Sequence, residues 1–152
     1  MLHATVRHTG GFSFLGKADS NHFVVMDGSE KIGAEDGAAR PKELVLFALG
    51  GCTGFDVILI LKKRRVAVRG LEIELAAEES PDHPMVFTGV EITYRFEGDD
   101  LAVAEIERAI RMSHDKYCSV SAMMRNAFPI GWRALLNGQE VLREGERAAR
   151  ES

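Results

Sequence analysis

Cysteine is scarce in this 152-residue chain, which holds only Cys52 and Cys118. They stand 66 positions apart, which excludes a CxxC metal knuckle and a dense disulfide framework. Any thiol chemistry must come from a pair assembled by the fold. An excess of positive charge is also missing. The 19 Lys and Arg against 23 Asp and Glu give a net charge of -4 and a pI near 5.7, so nothing draws the chain generally to nucleic acid or an anionic membrane. There is no GxxxxGK[ST] phosphate loop and no GxGxxG after a strand, so nucleotide binding has no support. None of the five histidines pairs at helical metal-ligand spacing, and neither a metal nor a cofactor is expected. The first residues lack the basic segment, apolar core and cleavage site of a secretory signal, which points to the cytoplasm.

With 45% hydrophobic and 28% charged residues, the chain has the composition of one globular domain, placed at residues 1–142 with a charged tail at 143–152. Three short strands are predicted near Ala4–Thr9, Phe12–Lys17 and His22–Asp27, followed by a polar loop to Arg40. Pro41 and Glu43 open a long helix through Leu61, stopped by Lys62-Lys63-Arg64-Arg65. Its apolar residues face nearly every direction, which calls for burial on several sides. The run approaches membrane-spanning length, but Asp56, Gly50, Gly51 and Gly54 within it favour a core helix.

Two alternating strands follow, in Val66–Glu78 and up to Phe96. A helix capped by Asp99 or Asp100 is predicted from Leu101 to about Ser113, and another from about Cys118 to Ala127. A strand at Pro129–Leu136 comes next, and Asn137-Gly138 can fold the segment to Leu142 back as a hairpin. The order βββ-α-ββ-αα-β is α+β with antiparallel sheets.

Cys52 lies in Leu49-Gly50-Gly51-Cys52-Thr53-Gly54. Each glycine costs a helix roughly 1 kcal/mol relative to alanine. Either the missing side chains leave room at the sulfur for a substrate or a second sulfur, or they permit close packing of the helix. Cys118 lies at a predicted helix start, where unpaired N–H groups favour a thiolate and Lys116 and Arg125 can add positive charge. His114, four residues before Cys118, suggests a cysteine–histidine hydrolase pair, but no third orienting group is legible.

Arg40-Pro41-Lys42-Glu43-Leu44, Ala48-Leu49-Gly50-Gly51-Cys52 and Lys116-Tyr117-Cys118-Ser119-Val120-Ser121, taken in this order, resemble the OsmC/Ohr family. Thr9-Gly10-Gly11, Val24-Val25-Met26-Asp27-Gly28 and the Met85–Phe96 strand fit it too, and the Gly-Gly-Cys form resembles its YhfA-like branch. The resemblance covers about residues 5 to 134. It implies an intertwined homodimer with two long central helices, and hydroperoxide reduction with Cys52 as peroxidatic and Cys118 as resolving cysteine. The oxidised pair is then reset by an external dithiol reductant.

In family peroxidases an arginine and a glutamate activate the reactive cysteine. Here the arginine position after Thr9-Gly10-Gly11 is Phe12, and the glutamate position is Lys42, with Glu43 one residue later. Arg40 is the candidate thiolate activator and Glu43 the shifted candidate partner. Nine residues from Glu43 to Cys52 turn a helix to its opposite face, while ten from Lys42 fall about 80° short of whole turns. The expectation is a cytoplasmic thiol peroxidase in oxidative-stress defence, bound to neither nucleic acid nor membrane. The alternative is a non-catalytic dimer that binds or senses a small hydrophobic ligand on the same scaffold.

Overall fold

A computed structural model describes residues 1–144; the expected tail lies, beyond residue 144, outside the described residues. The chain divides into two compact units, Met1–Phe47 and Ala48 onward.

The first unit carries β1 (Ala4–Gly10), β2 (Ser13–Ala18) and β3 (Phe23–Met26), an antiparallel meander in the order β1-β2-β3. Gly10 and Gly11 turn the first hairpin at φ of 131° and 52°, where a side chain is strained. The polar loop is tied down by Asp27, whose carboxylate accepts the N–H of Gly37 at 3.0 Å and of Gly28 at 2.8 Å. Those two bonds hold its pKa below the ordinary carboxylate range. Helix α1 (Pro41–Lys63) then begins with proline at its first position, as its fixed φ favours. The Glu43 side chain reaches back to accept the Arg40 backbone N–H at 2.8 Å, half of a capping box.

In the second unit, β4 (Gly70–Glu79), β5 (Phe87–Glu97), β6 (Ile130–Leu136) and β7 (Gln139–Arg143) form a sheet in that order. The alternation read in the sequence is what buries Val90, Ile92, Tyr94 and Phe96. Asn137 and Gly138, at φ of 50° and 86°, make the tight turn into β7. The α+β class stands, with one pairing that differs from an all-antiparallel sheet: β5 and β6 run parallel. Between them the chain leaves the sheet and returns through α2 (Val103–Met112) and α3 (Ser119–Met124), the crossover a parallel pair requires. Neither Asp99 nor Asp100 caps α2. The position before it is Ala102, and Asp99 accepts the Arg69 guanidinium at 2.9 Å instead.

Helix α1 is long and apolar enough to cross a membrane. Within the second unit its Leu49, Thr53, Val57 and Leu61 are buried, while Phe55 and Leu59 are exposed. The glycines around Cys52 divide between the two readings. A Cβ on Gly50 meets Leu75 at 2.7 Å and one on Gly54 meets Ile73 at 2.7 Å, so both serve close packing of α1 on β4. A Cβ on Gly51 meets nothing within 4 Å.

These surroundings separate the glycines in stability. Gly54→Val forces two methyl groups toward Ile73 and is expected to cost about 1–3 kcal/mol by overpacking. Gly51→Ala is expected to gain up to about 1 kcal/mol through helix propensity alone. Urea unfolding of the two variants checks both signs, and a loss at Gly51 would mean that a second copy of the chain covers that position.

Candidate active site

The two cysteines, distant in sequence, meet in the second unit. The sulfurs of Cys52 and Cys118 and a carboxylate oxygen of Asp56 all lie within 4.8 Å of one another. Cys52 and Asp56 share one face of α1 because they are four residues apart. Cys118 reaches them through an irregularity: α2 ends in a π-helical turn, Ser113–Tyr117, closed by the Cys118 N–H donating to the Ser113 carbonyl at 2.8 Å. Such wide turns are frequent at functional sites. This one buries Ser113 and His114 and makes Cys118 the N-cap of α3.

The sulfurs are not equivalent. Cys52 is half-buried and Cys118 is 2% exposed. Cys118 Sγ accepts the Ser121 N–H at 3.3 Å, yet burial outweighs that bond and pushes the thiol above its ordinary pKa, with Cys52 and Asp56 adding to the rise. The thiolate expected at Cys118 from its helix-start position is therefore not favoured. Helix α3 has only six residues. Arg125 is directed to His114, and the Lys116 ammonium lies over the Tyr117 ring at 5.4 Å.

Behind the cysteines runs a polar chain that no sequence motif announces, buried at Thr53, Tyr94, Ser113 and His114 and open at its two ends, Arg125 and Asp56. Arg125 Nη2 lies 3.0 Å from His114 Nδ1, His114 Nε2 lies 2.9 Å from the Tyr94 hydroxyl, and that hydroxyl meets Thr53 Oγ1. Ser113 Oγ is 3.0 Å from Thr53 Oγ1 and 3.1 Å from Asp56 Oδ2. A guanidinium only donates, so Nδ1 of His114 is an acceptor and the ring proton sits on Nε2, donating to Tyr94. Tyr94 in turn donates to Thr53. Ser113 Oγ donates toward both Thr53 Oγ1 and Asp56 Oδ2, sharing its single hydrogen between them. Burial raises the Tyr94 pKa, keeping the phenol neutral, and lowers that of His114 to about 4, with Arg125 adding to the effect.

Arg40 and Glu43 belong to the first unit and meet each other. Arg40 Nη1 lies 3.5 Å from Glu43 Oε1, and its Nη2 lies 3.0 Å from Asp36 Oδ1. Asp56, in contrast, enters the sequence reading only as a charge inside an apolar run. A carboxylate one helical turn after a cysteine is the signal that could have marked it. The Cys52, Asp56 and Cys118 donors are the set, among the described residues, close enough to hold a metal ion, and two sulfurs with one carboxylate oxygen suit zinc but leave it one protein ligand short. Asp56 also borders a cleft of about 270 Å³ that combines apolar Leu59, Ile60 and Met112 with Tyr117 and the cations Lys63, Arg64 and Arg108. A larger cleft of about 630 Å³ lies around Arg69, Glu97 and Asn137, and neither cysteine lines it.

The family model for an OsmC-like protein matches residues 33–133, which include both cysteines. The chain belongs to the OsmC-like family. Protein YhfA of Escherichia coli K12 is 38% identical over 129 residues, covering 85% of this chain and 93% of that protein. A hypothetical protein from Aquifex aeolicus VF5 is 27% identical, with a TM-score of 0.75 over 90% of this chain and 98% of that one. An organic hydroperoxide resistance protein from Elizabethkingia anophelis shares the fold at 18% identity and a TM-score of 0.66, covering 90% and 96%. Within the second unit, α1 packs its Leu49, Thr53, Val57 and Leu61 into the core of this fold.

The buried imidazole gives the site a pH signature. The folded state holds His114 neutral, so stability is complete above the unfolded pKa near 6.5. It is lost as pH falls toward about 4. The loss is about 3 kcal/mol. Urea unfolding at intervals between pH 7 and 4 should show this decline, and His114→Gln should flatten it.

Proposed function

We propose that this OsmC-like protein is a thiol-dependent peroxidase that reduces hydroperoxides through Cys52 and Cys118. The observation that carries the reading is the juxtaposition of a half-buried and a buried sulfur within 4.8 Å. A relative movement of about 3 Å or less brings them to the ~2.05 Å of a disulfide.

In this reading the more accessible Cys52 attacks the distal peroxide oxygen and becomes a sulfenic acid, releasing the alcohol or water. Cys118 then attacks the oxidised sulfur, a disulfide forms and water leaves. An external dithiol reductant of the cytoplasm resets the pair by exchange. The cleft beside Asp56 joins apolar Leu59, Ile60 and Met112 to the cations Lys63, Arg64 and Arg108, which suits an organic hydroperoxide with an apolar body and a polar head. Arg40, braced by Asp36 and Glu43, is the candidate thiolate activator, with Glu43 as its holder. Exposed Phe55 and Leu59 on α1 support the homodimer that the family resemblance implies.

One feature favours the rival reading of a non-catalytic binder of small hydrophobic ligands. Burial and the Asp56 carboxylate both work against a thiolate at Cys118. Intact-mass analysis after one equivalent of cumene hydroperoxide separates the two readings. Loss of two hydrogens in the native sequence is expected, with a trapped sulfenic acid in Cys118→Ser and no oxidation in Cys52→Ser. Unchanged masses throughout would transfer the assignment to the binder.

A further inference from the structure

Resolution of the oxidised Cys52 poses a chemical problem that the surroundings of Cys118 make acute. A thiol is a poor nucleophile until it loses its proton, and Cys118 is almost fully enclosed. The Asp56 carboxylate beside it opposes the thiolate rather than favouring it. Something nearby must take the proton as the S–S bond forms.

His114 is the base that chain order suggests, but both of its ring nitrogens are occupied, Nδ1 by Arg125 and Nε2 by Tyr94. The remaining group, among the described residues, is Asp56. Its carboxylate lies within 4.8 Å of both sulfurs, and the Ser113 hydroxyl, itself bonded to buried Thr53, fixes its orientation.

We propose that Asp56 is the proton acceptor for Cys118 in disulfide formation, a role that rests on the redox reading of the cysteine pair. The Cys118 sulfur uses its lone pair to form the S–S bond. Its proton passes to the Asp56 carboxylate, and the S–O bond of the Cys52 sulfenic acid breaks with its electrons on oxygen. Asp56 returns the proton to that oxygen, so the products are the disulfide and one water, with Asp56 again a carboxylate. The same geometry serves any good leaving group on Cys52. When that group is a thiolate, the proton is released to solvent instead. In the departure from the family pattern at Phe12 and Lys42, this carboxylate gives the chain a means of activating the second sulfur rather than the first.

The leaving-group generality provides a test that does not require peroxide. Treating reduced protein with 5,5′-dithiobis(2-nitrobenzoate) forms a mixed disulfide at Cys52 and releases one coloured thiolate. Attack by Cys118 then releases a second. In Asp56→Asn the second release should slow tenfold or more, within the range general bases supply, while the first is no slower. Asp56→Glu should restore part of the rate, and acetate should accelerate Asp56→Ala. Ser113→Ala, which leaves the carboxylate in place but unheld, should show a smaller slowing and guards against a misfolded Asp56 variant. A second release in Asp56→Asn within twofold of the native sequence, or equal slowing in the Asn and Glu variants, would overturn the proposal. Because the reagent replaces hydroperoxide, failure of the peroxidase reading appears separately, as normal two-phase release from a protein whose mass hydroperoxide leaves unchanged.

Discussion

The buried hydroxyl of Thr53 is the contact on which the second unit's site depends. A helix that is apolar on every side has many ways to lie on an apolar sheet, because burial of hydrocarbon is non-directional. One buried hydroxyl removes that freedom, because leaving it unpaired costs more than misplacing a methyl group. Thr53 is satisfied only where α1 faces Tyr94 on β5 and Ser113 at the end of α2. Gly50 and Gly54 flank it and let the backbone approach close enough for those bonds to form. Helix, sheet and π-helical turn are then fixed together, and Cys52 and Cys118 are carried into contact as a consequence.

The charge arrangement around that contact is unusual for thiol chemistry. Reactive cysteines ordinarily sit in electropositive surroundings, yet here a carboxylate accompanies both sulfurs. The nearby guanidinium, Arg125, is spent on an imidazole. That division leaves the buried Cys118 thiol without cationic help and makes its proton removal a local event.

Much of this architecture is legible in the order of the residues. The strands, α1 and the β6–β7 hairpin follow from period-two alternation, Pro41, the basic stop after Leu61 and Asn137-Gly138. The pairing of Cys52 with Cys118 comes from motif order, since 66 intervening residues say nothing about distance. What stays hidden has a common cause. The π-helical turn at Ser113–Tyr117 has no residue signature, because it is selected by what must be buried around it. Asp99 looks like a cap because capping chemistry is local, and it is lost to an ion pair with Arg69, which no window of sequence contains. Gly50 and Gly51 look alike, and only the neighbouring strand distinguishes them. Asp56 reads as a lone charge and His114 as a partner for Cys118 by spacing, and their connection through Thr53, Tyr94 and Ser113 spans three separate elements.

The hydrogen bonds that join His114, Tyr94, Thr53 and Ser113 bear on how the site responds to its surroundings. Between the exposed Arg125 and the half-buried Asp56 the links are buried hydroxyls and an imidazole rather than mobile ions. Dissolved ions screen exposed charges over about 8–10 Å but have little hold on buried dipoles. The hydrogen-bonded support behind the two sulfurs therefore travels with the fold, while the half-buried carboxylate beside them, in a cleft that Lys63, Arg64 and Arg108 also line, stays open to dissolved ions.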